Sequence, residues 1–445
     1  MSDMLSIGAS GLRAYQTALT TVSENIANAG SAGYARRTTN VREVVAPASM
    51  QGWPTGLGVT VDGVSRAGDL HRSAEVRTAT ADLARSQAGV TWLQRIEESL
   101  SQNKLTDRLT AFFASAKSVA ADPSSQPPRA AMLEAASSAA AAFTATGSAL
   151  ASALTDLDGA AGQQTAELNA LAASLAQVNS GLGRAMPGSS GAAALADERD
   201  RLLEAMSAIT DLDVTLDPSG RALVRAGGAS GPILVQGANA GRVGYSRNDE
   251  GAVAFTLSFG FETTGFTPGG GALAGLGESA QRIAGAATEI AALAQSFADG
   301  VNAVQAAGHD LDGAPGAPMF AIGDPASQLS LVLTDPRGIA AAAPGGGTRD
   351  ASNLAGLDTL RTAAKLEEGV GNLTATNGSA LSARQSVVAA QTAIRDSAVS
   401  ARDSISGVNV DEEAVDLLRF QQAYQASSRV IQIARETLQS ILDIR

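Results

Sequence analysis

The chain contains no cysteine. That absence removes disulfides, thiolate metal sites, iron–sulfur ligation and cysteine catalysis together. Histidine is almost as scarce: His71 and His309 are the only two, which excludes a multi-histidine metal centre. Basic side chains number 32 against 44 acidic ones, and the net charge of −12 argues against a nucleic-acid carrier. Aromatic residues make up 4% of the chain, so large anchors for a substrate pocket are few. The longest apolar runs, such as Ala139 to Phe143, fall far short of the roughly 20 residues that span a bilayer. Met1-Ser2-Asp3-Met4 shows neither a basic segment nor an apolar one, so no ordinary secretory signal is expected there. What is present, in 445 residues with 47 Gly and abundant Ala, suits small side chains packed along helices. The length leaves room for roughly three domains. This is better material for a rod than for an enzyme.

Both ends carry helical heptads. Leu5, Leu12, Tyr15, Leu19, Val22 and Ile26 fall on one seam, with Gly8 filling the gap between Leu5 and Leu12. At the other end Leu417, Phe420, Tyr424, Ser427, Ile431, Ala434, Leu438 and Ile441 step three and four residues in alternation. About four heptads imply a gentle left-handed supercoil on a partner helix, over about 45 Å for a helix of about 30 residues. Neither seam can bury itself, so the two termini are expected to pair with each other or with copies of themselves.

Between the ends the organisation is nested. Thr38 to Val45 and Val59 to Val64 are rich in β-branched residues, with Pro47, Gly52, Pro54, Gly56 and Gly58 between them, and predict a two-stranded ribbon. Helical periodicity runs from about Ala67 to Leu182, with stop and start signals at Asp122-Pro123 and Pro127-Pro128. A loop at Met186 to Gly191 precedes a short charged helix, Asp197 to Ala208. From Leu212 to Phe266 alternating β-branched and aromatic residues predict a small all-β unit, closed by Pro268-Gly269-Gly270-Gly271. Helical period resumes at Ile283 and again from about Leu373 to Ile405. The expected fold is mainly α with an inserted all-β domain. Residues 1–35 with 408–445 would form terminal coiled-coil helices, 36–208 with 275–407 a helical middle domain with a long β-ribbon, and 209–274 an outer β domain at the pole far from the termini.

No motif supports catalysis. His309-Asp310-Leu311-Asp312-Gly313 resembles the start of a calcium loop, but a loop opening at Asp310 puts Ala314 and Ala321 where ligands belong. A turn is expected there. Asp197-Glu198-Arg199-Asp200-Arg201 offers paired carboxylates, yet mixed charge at a helix start reads as a solvated or salt-bridged face. The glycine runs, Gly269 to Gly277 and Gly345 to Gly347, precede no Lys-Ser or Lys-Thr and are expected to be linkers. The first helix has only Arg13 before Arg36, too little positive charge for a membrane-surface element. The sequence therefore predicts no enzyme, no cofactor, no metal, no nucleic acid and no membrane partner.

Certain terminal motifs carry more than periodicity. Ser23-Glu24-Asn25-Ile26-Ala27-Asn28, followed by Gly30, Gly33 and Tyr34, resembles the Asn-Ile-Ala-Asn…Gly-Tyr signature of rod, hook and hook-associated proteins of the bacterial flagellum. Gly407-Val408-Asn409-Val410-Asp411-Glu412-Glu413, leading to Leu418-Arg419-Phe420-Gln421-Gln422-Ala423-Tyr424, is similar to the hook-associated protein 1 family, the hook–filament junction branch of these axial proteins. Asp197 to Leu203, Gly308 to Gly313 with Gly316 and Phe320, and Leu333 to Pro336 with Ile339 resemble stretches of the same family. The resemblance implies a structural subunit exported by the flagellar type III apparatus, extracellular, with termini that pair on assembly. It implies an assembly interface of Leu5, Leu12, Tyr15, Leu19, Val22, Ile26, Asn28, Gly33, Tyr34, Leu417, Phe420, Tyr424, Ile431, Leu438 and Ile441. Its implied partners are like subunits in a ring, the flagellar hook protein, the second hook–filament junction protein and a cytoplasmic export chaperone. A flagellar hook or rod subunit is the alternative, which the Phe420-Gln421-Gln422 lead-in disfavours.

Overall fold

A computed structural model describes residues 2–31, 33–45 and 56–443. Pro47, Gly52 and Pro54, expected in the ribbon connection, lie outside the described residues, as does Ala32. In chain order, α1 (Ser2–Asn28) leads into a ribbon, β1 (Arg37–Val45) and β2 (Gly56–Arg66). Four helices follow, α2 (Leu70–Ser101), α3 (Leu105–Ala121), α4 (Gln126–Leu182) and α5 (Ser190–Ile209). Seven short strands come next: β3 (Leu212–Leu216), β4 (Ala222–Ala226), β5 (Ile233–Gln236), β6 (Asn239–Ala240), β7 (Arg242–Arg247), β8 (Val253–Phe259) and β9 (Glu262–Phe266). Helix α6 (Gly271–Ala307), strands β10 (Phe320–Ile322) and β11 (Leu329–Leu331), and helices α7 (Ala355–Ala364), α8 (Leu366–Ser406) and α9 (Val410–Asp443) complete the chain. The protein is mainly helical with small antiparallel sheets.

The scarce aromatics are concentrated. Phe112, Phe113, Phe143, Phe297 and Phe320 meet with ring centroids 5.0–6.4 Å apart, where α3, α4, α6 and β10 converge. Elsewhere the core is built from small residues: Ala136, Ala139, Ala153, Ala161 and Ala172 lie buried along one face of α4. At 57 residues α4 is about 85 Å long, and its second half carries the β unit. Buried Asn179 accepts from the Ala222 amide and donates to the Ala222 carbonyl, each at 2.8 Å. Asn169 treats Val243 the same way, at 2.7 and 3.0 Å. Each amide thus satisfies both backbone groups of a strand residue, docking β3-β4-β5-β6 and β7-β8-β9 on one helix. Asp158 clamps the second sheet by accepting from Tyr245 and Arg247, and the Arg247 hydrogen bonds hold its carboxyl below the usual range.

Three expectations need correction. The β unit does not sit at a pole away from the termini: Arg199 of α5 donates to Gly220 of the β3–β4 turn, while Asp197 of the same helix binds the ribbon beside α1. The cause is the return of α5 along α4: its start reaches β2, and the ends of the insert close on each other at Asp211 and Gly270, beside Ala81 of α2. The glycine run is not a linker, since α6 starts at Gly271. A Cβ on Gly275 would lie 2.4 Å from the Arg85 carbonyl oxygen, so these glycines let α6 touch α2. Finally α2 and α3 are separate, broken at Lys104, which adopts a left-handed φ of 48° with no proline or glycine to announce it. The 309–313 segment is a turn, in which Asp310 accepts from the amides of Asp312 and Ala314.

Gly271 provides a stability test. Its φ is +76°, and an added Cβ would lie 2.4 Å from the Ile209 and Thr210 backbone. Gly271→Ala combines left-handed strain with a clash against immobile atoms, and should cost about 2–4 kcal/mol. A urea midpoint unchanged from the wild type would show that the α5–α6 contact is looser than described.

Candidate functional site: the paired terminal helices and their anchor

Helices α1 and α9 form an antiparallel pair. Gly8 meets Ile431, Gly11 meets Ser427, and Tyr15 meets Phe420 with ring centroids 6.4 Å apart. A Cβ on Gly8 would stand 2.7 Å from Ile431 Cγ1, so the missing side chain is what admits the isoleucine. Ser427, the polar member of its seam, faces the equally small Gly11 and donates to its own Ala423 carbonyl. Val22 is buried, and Leu5, Leu12, Tyr15, Leu19, Ile26, Leu417, Phe420 and Ile431 are half-buried. Tyr424, Leu438 and Ile441 are exposed. With Gly8 opposite Ile431, the last two lie at or past the level of the first described residue of α1, and among the described residues no helix faces them.

The heptad pattern shows only one face of α1. Its most buried positions are small: Ala14 and Ala18 continue a line from Ser10 to Thr21 and Asn25 that presses on the ribbon. Ser10 accepts from the Val59 amide, and Thr39 donates to Thr21 at 2.9 Å. Gly58, at φ +97°, approaches so closely that a Cβ would lie 3.2 Å from Ile7 Cα. Helix α1 is therefore held between α9 and the ribbon. Small polar and alanine positions give a weak hydrophobic signal, and for that reason periodicity alone passes over them.

A polar hub ties this assembly to the body. Asn25, fully buried, uses its whole hydrogen-bonding capacity: it donates to Arg37 O and Glu413 Oε2, and accepts from Arg37 N and the Tyr34 hydroxyl. The Glu413 carboxylate, also buried, takes its second bond from Arg36 Nε at 2.7 Å, a contact that raises the Arg36 pKa further. Arg37 lies over the Tyr34 ring at 4.7 Å and reaches Glu24 and Asp197. Burial of the Tyr34 phenol pushes its pKa up. Arg66 of the ribbon binds Asp197 and Asp200 of α5. The backbone reinforces the joint: Arg36 N donates to Ser406 O and Ala67 N to Arg36 O, each at 2.8 Å. Gly33 turns the chain at φ +80°, and Asn28 closes α1 by donating to Glu24 O.

The expected residues thus divide. Tyr34 joins the hub, Asn28 and Gly33 shape the turn beside it, and the apolar ones line the helix pair or stay exposed. Asn25, Arg36, Arg37, Asp197 and Glu413 do most to fix the geometry; Asn25, Asp197 and Glu413 stand in motifs legible in the sequence, but none of the five is among the expected interface residues. Their signal was present in the motifs as polar residues placed beside an apolar seam. Among the described residues, no group of three or more His, Cys, Asp or Glu is placed to hold a metal, and no helix is long and apolar enough to cross a membrane. Chemically the arrangement is a joint.

Known proteins resemble this chain in sequence and in fold. The pattern of the flagellar hook-associated protein FlgK helical domain matches residues 93–320, just over half of the chain. That of the flagellar basal body rod FlgEFG protein C-terminal region matches residues 400–444, the end of α8 and α9. Flagellar hook-associated protein 1 of Salmonella typhimurium LT2 is 28% identical over 336 residues, covering 73% of this chain and 60% of that protein. The Escherichia coli K12 protein of the same name is 27% identical over 337 residues, covering 73% and 61%. The chain thus spans about 60% of the length of these curated relatives. The flagellar hook junction protein FlgK from Burkholderia pseudomallei shares the fold, with a TM-score of 0.66 at 15% identity, covering 75% of this chain and all of that one. By the extent of the helical-domain match, the chain belongs to the flagellar hook-associated protein FlgK family.

Proposed function

We propose that the chain is a non-catalytic structural subunit of the bacterial flagellum, placed outside the cell at the junction between hook and filament. The observation that carries this reading is the α1–α9 pair. Its helices are locked to each other and to the ribbon, while a second stripe on α9, Val415, Leu418, Val430 and Ile433, faces solvent. Such a face on an anchored helix suits packing against neighbouring subunits. The proposed neighbours are like subunits in a ring, the hook protein below and the second junction protein above. A cytoplasmic chaperone would cover α9 before export through the type III apparatus. We also divide the subunit into three parts, the terminal pair, the helical middle and the 209–274 insert.

The match of residues 400–444 to the rod-protein C-terminal region favours a second reading, a hook or rod subunit. Electron microscopy of a deletion strain, with flagellin assayed in the medium, separates the two. Hooks without filaments and lost flagellin are expected. Absent hooks would move the chain to the rod or hook, and normal filaments would remove it from the axis.

A further inference from the structure

Helix α9 carries a second line of three- and four-residue steps, on the side away from Ile431, and every member of it is exposed. The half next to the hub is Glu412, Val415, Arg419 and Gln422, and the half toward the tip is Ala426, Arg429, Ile433 and Glu436. Leu418 and Val430 flank the line, so each half holds an exposed apolar patch, Val415 with Leu418 and Val430 with Ile433. An acid and an arginine border each patch, and their order reverses: acid, apolar, base, then base, apolar, acid. Among the described residues the side chains of Arg419, Arg429 and Glu436 make no ion pair and no hydrogen bond. Glu412 accepts from Asn409 at 3.3 Å and stands 3.6 Å from Arg36, whose main partner is Glu413, and 61% of its side-chain surface stays open.

This pattern selects one pairing between two copies, because like charges face to face oppose association while apolar patches favour it. Laid antiparallel with the patches matched, Arg419 meets Arg429 and Glu412 meets Glu436, like on like. Laid parallel in register, each charge meets itself. Sliding the antiparallel pair until Arg429 reaches Glu412 puts Ile433 opposite Val408, before the start of the helix. A parallel shift of about seven residues, or about 10 Å, pairs acid with arginine but sets Ile433 on Ala426 and Val415 on Gln422. A parallel shift of about 17 residues, or about 26 Å, brings Arg429 to Glu412, Glu436 to Arg419 and Ile433 beside Val415 together. We propose that copies of this chain join head to tail in this last register, the Val430–Ile433 patch of one resting on the Val415–Leu418 patch of the next. Each copy then holds two neighbours through two different surfaces, and such a contact propagates. Copies linked in this way climb along the helix axis, so in a ring the helices must lean across its circumference. This rests on the reading that the exposed stripe meets like subunits, and the test keeps the two apart.

The chain has no cysteine, so engineered pairs report without background. Gln422 and Ser440, both exposed and both on the line, stand about 27 Å apart in one helix and meet only across the shifted contact. The full chain carrying Gln422→Cys and Ser440→Cys should give a disulfide ladder of like copies in isolated, oxidised flagella. Its yield should be about tenfold or more that of either single variant, since a bridge needs Cα atoms within about 7 Å. Bridging by a single variant alone would mean an in-register or antiparallel contact and overturn the proposal, as would normal filaments with no ladder. Arg419→Glu and Glu436→Arg test the charges: each should lower the number of filaments per cell about tenfold or more, and the two together should restore it. Each isolated variant should melt within about 2 °C of the wild type, because no internal pair is lost. A larger drop would make the residue structural and overturn the proposal. A double charge variant no better than either single one would overturn the register even where the cysteine variants fail to assemble. Normal filaments in the deletion strain would instead sink the reading of an assembling subunit.

Discussion

Replacing Glu413 with Ala is expected to loosen α1 and α9 from the body while the aromatic core stays folded. The side chain is almost wholly buried, and its two oxygens satisfy Asn25 and Arg36. Removing one member of a buried charged pair usually costs about 3–5 kcal/mol, because the other is left desolvated. The lower part of that range applies here: Arg36 keeps 30% of its side-chain surface exposed and can turn toward Glu412 or Asp416. Asn25 keeps its bonds to Arg37 and Tyr34, so it is weakened rather than stranded. About 3 kcal/mol is roughly a hundredfold in the opening equilibrium. Hydrogen exchange should therefore quicken about a hundredfold across α1 and α9, with the segment around Phe112 and Phe143 unchanged. Glu413→Gln should recover only part of this, since an amide offers one acceptor where two donors converge. Unchanged exchange in α9 would mean that the hub does not hold the terminal helices.

How much of this was legible depends on what each residue contributes to periodicity. The ribbon and the short strands announced themselves through β-branched runs between glycine turns. The terminal helices were visible because Leu12, Val22, Phe420 and Ile431 recur at heptad spacing. Ala14, Ala18 and Thr21 gave no such signal, since the contact they make is defined by small size. The start of α6 was hidden for a related reason: Gly271 and Gly275 look like a linker until another backbone is known to lie 2.4 Å from their missing Cβ atoms. The hub illustrates the harder limit. Glu413 follows two other acidic residues at an apparently solvated helix start, and only the approach of Asn25, 388 positions away in the chain, makes it a buried ligand. Asp197 likewise reads as one charge on a solvated or salt-bridged face, and its partners are fixed only when Arg37 and Arg66 arrive from the ribbon. Long-range partners decide these roles, and no local pattern contains them.

The largest effect on assembly is expected from Ile431→Asp. Ile431 rests where Gly8 has no side chain, so the new carboxylate would face helix backbone and the Ser427 turn. Losing the apolar contact and half-burying an unpaired charge should together cost about 2–4 kcal/mol of helix pairing. The β unit, docked on α4 through Asn169 and Asn179, has no part in this contact and should stay folded. Ile433→Asp provides the comparison, because Ile433 stands on the opposite, exposed stripe. That variant should leave α1–α9 exchange rates at wild-type values. If the outer stripe packs on neighbouring subunits, both variants lose filaments, yet only Ile431→Asp loosens the isolated chain. Wild-type motility with Ile431→Asp would sink the seam. Wild-type motility with Ile433→Asp alone would leave the seam in place and remove the exposed stripe from the assembly surface. The pair of variants therefore separates what holds one subunit's helices together from what joins a subunit to the next.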